Sequence, residues 1–479
     1  MKPTFIKKTS LYSGFIATLI LAACSPFKTP VPPSKVAVPA QFSQATAGQP
    51  SDISRWWLAW NDPDLTQVIE DTLKANLDLR IARDHIQEAK AGFKMTRSAL
   101  SPTIGITGNI AGGGTDSRNS YLNAFSQDSS DPTTAGHIAG VTASWEPDLF
   151  GARHADAKAA EAVVLGQEAQ LHQLQMAIAA EVASYYTEIQ CLRKRLTLLD
   201  QRIAILENLK SYVQARFNAG QATLSDIKSL NEAIKILHSY RPDIETAIAA
   251  SVRHIAILGG RSPENAQIKI SSESITPAAP SGELPDTVLH RRPDVAAAED
   301  NITAALNRLK SAKADMLPRF GLQFFGGDGR IRFSGLSGFS NSGGIIALTS
   351  YLPIFTAGRV HAHIALEDAK LDEAVALYDK KLLAALAEVE NAYQTRTSQD
   401  QRIEQLSEAL ATATQNTTIE QGLYQGGKHT FKNVLDARLN KIDKADSLIQ
   451  TVYQQQMATI NLYYALGGGW SNDIHPIQK

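Results

Sequence analysis

Apolar and polar positions in this chain follow two different periods. Ile104, Ile106 and Ile110 alternate with Gly105, Thr107 and Asn109, and Val141, Ala143 and Trp145 alternate with Thr142 and Ser144. Phe320, Leu322 and Phe324 repeat the pattern, and Ile345–Leu352 follows it. A two-residue period predicts strands, one pair at about 103–146 and a second at about 319–355. Gly112–Gly136 and Gly326–Gly344, rich in Gly and Ser, read as the loops between them.

The long segments between behave differently. From Ala152 to Ala219 the one glycine is Gly166 and there is no proline; Arg359–Gln421 holds neither. Both runs are filled with Ala, Leu, Gln, Glu, Lys and Arg, which lose least on entering a helix. At 1.5 Å per residue such a run makes a rod of roughly 100 Å. The first run breaks at Phe217-Asn218-Ala219-Gly220-Gln221 and the second at Tyr424-Gln425-Gly426-Gly427-Lys428. Helical pattern then returns to Leu258-Gly259-Gly260 and to Ala465-Leu466-Gly467-Gly468-Gly469. Two helical hairpins are expected, 151–258 and 357–467. Rods this long cannot bury themselves within one protomer, so a neighbouring surface must cover them.

The chain is a tandem duplication. Phe217 and Gly220 fall on Tyr424 and Gly427 at an offset of 207, and Leu73–Thr107 laid on Leu289–Gln323 at an offset of 216 gives nine identities in 35. That period is far too long for a solenoid. The expected layout is a first repeat at 51–260, a Pro-containing linker at 261–285, a second repeat at 286–470 and a tail at 471–479. Trp56, Trp57 and Trp60 mark the start of folded structure. Asp62-Pro63 opens a helix whose pattern runs through Asn76 to about Leu100.

Residues 1–23 read as a signal peptide: Lys2, Lys7 and Lys8 precede a short apolar run too brief to span a bilayer. Leu21-Ala22-Ala23-Cys24 resembles a bacterial lipobox, which would make Cys24 the lipidated N-terminus of the mature chain. Residues 24–50, with Pro26, Pro30, Pro32, Pro33 and Pro39, read as an extended linker. Cys191 is the second of two cysteines, so an acylated Cys24 excludes an intrachain disulfide; mid-helix packing is its expected role. Without the signal peptide the chain carries 44 basic and 48 acidic residues. That balance makes no electrostatic case for nucleic acid.

Chemistry-bearing motifs do not survive inspection. Gly422–Lys428 imitates a phosphate loop, but His429 stands where Ser or Thr is needed and a helix precedes it in place of a strand. His361 and His363 point to different helix faces. No zinc-ligand spacing or nucleophile elbow occurs. The chain reads as a non-enzyme without cofactor or metal.

The strands are of membrane-crossing length. Four cannot close a barrel, and open edges are not tolerated in lipid, so a membrane role requires several copies.

Arg216–Asp226, together with Tyr424–Gly427 and Val434-Leu435-Asp436-Ala437, resembles the two inter-helix turns of TolC-type outer-membrane efflux channels. Trp145–Gly151, Arg291-Arg292-Pro293-Asp294 and Ala465–Gly468 are similar to that family's other landmarks. With the lipobox, the resemblance is to the lipoprotein branch that works with RND pumps, the NodT-like group. It implies a mainly α protein with transmembrane β: duplicated long hairpins forming a trimeric α-barrel above which a 12-stranded β-barrel is built from four strands per protomer. It also implies a homotrimer in the outer membrane of a Gram-negative bacterium, held by outer-membrane lipid and partnered by a periplasmic adaptor and an inner-membrane RND pump.

The resemblance further implies a periplasmic gate at the hairpin tips. Asp226 and Asp436 match acidic tip positions, and Ser225 and Tyr424 match partners in the closing contacts. Asn433 and His429 depart from the Asp and Arg of better-known members, and histidine titrates near neutrality. Gly220 and Gly427 sit where the turns require positive φ. The alternatives are a periplasmic adaptor, which would show one hairpin and a strand-rich lipoyl-like domain, and a structural envelope lipoprotein without a pore.

Overall fold

The computed structural model describes residues 30–43, 48, 52–114, 133–272, 275–333 and 336–471. Cys24 and the expected signal peptide, 1–23, lie outside them. The chain divides into two units.

One unit contains a four-stranded antiparallel sheet in the order β1 (Thr103–Gly114), β2 (Thr133–Trp145), β3 (Arg319–Phe333) and β4 (Leu336–Tyr351). Both repeats contribute a hairpin, and the β2–β3 pairing joins them. The strands run further than alternation predicts. Much of the supposed loop Gly326–Gly344 is strand, as are both ends of Gly112–Gly136. Glycine weakens strand propensity, which hid these residues. Here the ladder accepts them because Gly140 pairs with Gly327 and Gly326 with Gly344. A Cβ on Gly140 would stand 2.6 Å from the Gly326 carbonyl oxygen, so close strand approach requires glycine.

The other unit holds most of the helical length. Its core gathers Trp56, Trp57, Trp60, Leu65, Ile69 and Tyr186 with Tyr463 and Leu466. Asp62 caps α1 (Pro63–Ala75) through the amides of Asp64 and Leu65. It also accepts the Tyr186 hydroxyl at 2.9 Å.

The single helix expected through Asn76 is two, α1 and α2 (Leu77–Ser98). Asn76 is extended, and its side-chain oxygen takes the Leu79 amide at 2.9 Å. A short polar side chain that can cap the next helix competes with helix continuation. The second repeat breaks at the matching residue: α5 (Pro285–Arg291) ends before Arg292, and α6 (Pro293–Ala314) starts at a proline, which disfavours helical backbone before it.

The long helices are as expected. The first hairpin is α3 (Ala152–Asn218) and α4 (Leu224–Leu258), of 67 and 35 residues. The second is α7 (Arg359–Gln425) and α8 (Phe431–Ala465), again of 67 and 35. Equality of length across a duplication points to a spacing that cannot drift. Buried Cys191 sits within α3, and burial pushes its thiol up to about 11. It packs as a small apolar residue.

The linker read at 24–50 is partly a fixed strap. Val36 packs beside Leu289, Val295, Leu382 and Ala385. The Ser43 amide and hydroxyl both donate to Glu390 on α7, at 2.7 and 2.6 Å.

Candidate functional site: two hairpin tips and an open sheet

Each tip is built by the same backbone device. After α3, the Gln221 amide bonds the Arg216 carbonyl at 2.8 Å and the Gly220 amide bonds Phe217 at 2.9 Å, with Gly220 at φ +74. After α7, Lys428 bonds Leu423 at 2.9 Å and Gly427 bonds Tyr424 at 3.0 Å, with Gly427 at φ +69. This double closure uses carbonyls left free at a helix end, and its left-handed residue favours glycine.

The side chains on the two turns differ. At the first, Thr223 and Asp226 form a reciprocal capping box: the Asp226 amide donates to the Thr223 hydroxyl, and the Asp226 carboxylate accepts the Thr223 amide at 2.8 Å. That amide, then the Thr223 hydroxyl, holds the exposed carboxyl below the usual aspartate range. Ser225 is exposed beside it. At the second turn Asn433 occupies the position matching Asp226. It takes the Thr430 hydroxyl at 2.6 Å, and Thr430 makes no side-chain cap to the backbone.

The second tip carries its charges elsewhere. His429 Nδ1 lies 2.6 Å from Glu420 Oε2, a bond that ties the turn back onto α7. Lys432 donates to Asp436 at 2.6 Å one helical turn along α8, both exposed. Tyr424 stacks at a tilt on Phe431, which meets Tyr212 of α3 edge-on at 5.4 Å. The hairpins are joined more deeply by Leu435, fully buried beside Leu206 and Leu209. Arg195–Asp446 and Arg202–Asp443 cross from α3 to α8 at 2.8 and 2.7 Å.

Sequence reading named Tyr424, His429 and Asp436 without their partners Phe431, Glu420 and Lys432. The Thr223–Asp226 box and the four-residue spacing of Lys432 and Asp436 were readable signals. Glu420 was not, since it meets His429 only after the chain turns.

The sheet has two unlike faces. Paired residues share a face, which places Ile104, Ala143, Phe324 and Ile346 in one row, with Ile106 and Val141 in the next. Leu322 and Leu348 pair on that face too, and Ile106 is 90% and Leu348 74% exposed. Thr103, Thr107, Asn109, Thr142, Ser144, Gln323 and Thr349 occupy the opposite face, interspersed with Ile138, Phe325 and Ile345. Farther along the apolar face, charged residues begin at Asp328 and Arg330. The outer edges of β1 and β4 carry no partner strand among the described residues. No described helix is long and apolar enough to cross a membrane.

Comparison with known proteins agrees with this geometry. The chain is similar to the pyoverdine export outer membrane protein OpmQ of Pseudomonas aeruginosa, with 26% identity covering 98% of both chains. It is similar to the cation efflux system protein CusC of Escherichia coli, with 26% identity over 95% of this chain and 98% of that one. The solved outer-membrane channel OprN superposes with a TM-score of 0.81 at 25% identity, covering 94% of this chain and 99% of that one. The family model described as outer membrane efflux protein matches residues 68–232 and 284–468, one block in each repeat. The chain belongs to the outer membrane efflux protein family.

Proposed function

We propose that this outer membrane efflux protein is the exit channel of a tripartite RND-type efflux system, working as a homotrimer with a lipid anchor at Cys24. The observation that carries the reading is the four-stranded sheet, with one face led by Ile104, Ile106, Phe324 and Leu348, a mixed polar and apolar face opposite, and both outer edges without a partner strand among the described residues. An open edge in lipid leaves backbone groups unsatisfied, at several kcal/mol each. Three copies supply twelve strands, an even number within the range of bacterial barrels. The same assembly covers the apolar residues exposed on the hairpins, among them Leu377, Leu383 and Ile419.

The protein transports and does not catalyse. Solutes pass through the tunnel formed by the hairpins, and the tips, with Ser225, Asp226, Tyr424, His429, Asn433 and Asp436, form the periplasmic gate and the adaptor contact. The relatives' names cover pyoverdine, toluene and cations, a spread consistent with cargo selection by the pump. The adaptor alternative expected one hairpin, and there are two.

Purified protein in planar bilayers tests the channel: discrete ion currents are expected, and electrically silent trimers would refute it. For the anchor, Cys24→Ser should abolish palmitate labelling; label that persists would rule the lipid assignment out.

A further inference from the structure

The breaks at Asn76 and Arg292 hold matching places in the two repeats, and each reaches the end of its own hairpin. Asn76 Nδ2 donates to the Leu258 carbonyl at 2.8 Å, the last residue of α4. Arg292 Nη1 donates to the Ala465 carbonyl at 2.9 Å, the last residue of α8. The offset of 207 that aligns the turns also carries Leu258 onto Ala465. The duplication has kept a side-chain tie at the root of each returning helix.

The ties differ in how many helices they hold. Arg292 is 5% exposed and pairs bidentately with Asp294, at 3.0 and 2.9 Å. Its Nη2 also donates to Glu388 on α7 at 2.7 Å. It therefore fastens both helices of the second hairpin to the break between α5 and α6. Gly467, at φ +80, is held against it; a Cβ there would stand 3.2 Å from Arg292 Cγ. Asn76 fastens α4 and its own helix α2. Glu181, which matches Glu388 on α3, is exposed, and a neutral Asn76 offers it no charge. Val182 and Val389, the next residues, are both fully buried, so the helices keep the same rotation while the pinning differs.

We propose that Arg292 is the positioning residue for the second hairpin, locking α7 and α8 together at the root and so setting the closed position of their shared tip. The lever is long. The 35 residues of α8 extend about 52 Å, so a 5° tilt at the root moves the tip by about 5 Å. That displacement exceeds the reach of any hydrogen bond closing the tip. The planar fork matters as well as the charge, because three acceptors on three segments are held at once.

This inference rests on the channel reading, and the same recording separates the two. Planar-bilayer conductance of unmodified trimers tests the channel; the ratio of variant to parent tests Arg292. Glu388→Gln removes the charge of one half-exposed partner and leaves Asp294 and the carbonyl in place, which spares folding. Its resting conductance should rise at least about threefold with trimer yield unchanged, Arg292→Met should raise it further, and Arg292→Lys should fall between parent and Arg292→Met. Glu181→Gln, the same change at the matching place in the first hairpin, should conduct as the parent does. The proposal is overturned if Glu388→Gln trimers conduct like the parent, or if Glu181→Gln opens the channel equally. Should Arg292→Met fail to assemble, Glu388→Gln and Arg292→Lys still decide.

Discussion

The two hairpins have the same lengths, the same turn and a side-chain tie at the same place in the root, but different chemistry at each end. The first is capped by a Thr–Asp box at its tip and held by a neutral Asn76 at its root. The second has Asn433 where the acid was, a His429–Glu420 bond across the turn, and a buried arginine gathering three acceptors at its root. Under the trimer proposed above, backbone geometry is kept because helix length and turn must match in both copies for twelve helices to close one tunnel. Side chains were free to diverge because each hairpin meets different neighbours. The proposed division of labour is a first hairpin whose tip is capped within its own turn and a second whose position is set from its root and adjusted at its tip.

The largest expected effect tests the part that is alike. Gly220→Val and Gly427→Val each force a β-branched residue to positive φ, at about 1–2 kcal/mol. No atom crowds either site within 4 Å, so the cost is conformational and should be nearly equal. Hydrogen exchange of the turn amides measures it; a cost at one turn alone would break the equivalence. Gly427→Val should also weaken crosslinking to the adaptor.

The next tests the part that differs. Thr223→Ala removes a cap bonded to the backbone and should cost about 1 kcal/mol. Thr430→Ala removes no such bond and should cost a few tenths. Equal losses on urea unfolding would mean the box does not distinguish the hairpins.

A pH titration sharpens the same contrast. Asp226 has its folded pKa depressed, chiefly by the Thr223 amide. The stability it contributes is present above the unfolded aspartate value and is lost as pH falls through the depressed folded value. Asn433 does not titrate. Exchange at the first tip should therefore rise in acid below the usual aspartate range, with no matching carboxylate step at residue 433. A first tip indifferent to that range would remove the acid from the capping argument.

The smallest effect concerns selectivity. Asp436 matches an acidic tip position and would attract cations to a constriction, but Lys432 lies within a salt bridge of it. Asp436→Asn should thus reduce cation preference only slightly at low salt, and Lys432→Met should increase it. Both changes should fade at high ionic strength, where screening is nearly complete. An unchanged reversal potential in both variants would place the pair away from the constriction.

Much of this was legible in the chain. Long runs of Ala, Leu, Gln, Glu, Lys and Arg with no proline and at most one glycine read as long helices, and Gly220 and Gly427 mark the turns directly. Strand ends were not legible, because Gly140, Gly326, Gly327 and Gly344 carry no periodic signal until their neighbours across the sheet are known. The break at Asn76 was hidden for a related reason: its cause includes the Leu258 carbonyl, 182 residues away in sequence. Of the candidate gate, residue identities could be read but partners across a turn could not. His429 and Glu420 are the clearest case.

The central claim is that this chain's sheet is closed by other copies of itself. Native mass spectrometry of protein extracted gently from the outer membrane tests it directly. The account predicts one species containing three chains. A single chain or a dimer as the stable membrane species would contradict it, because four strands do not close a barrel and the twelve-stranded reading needs three copies.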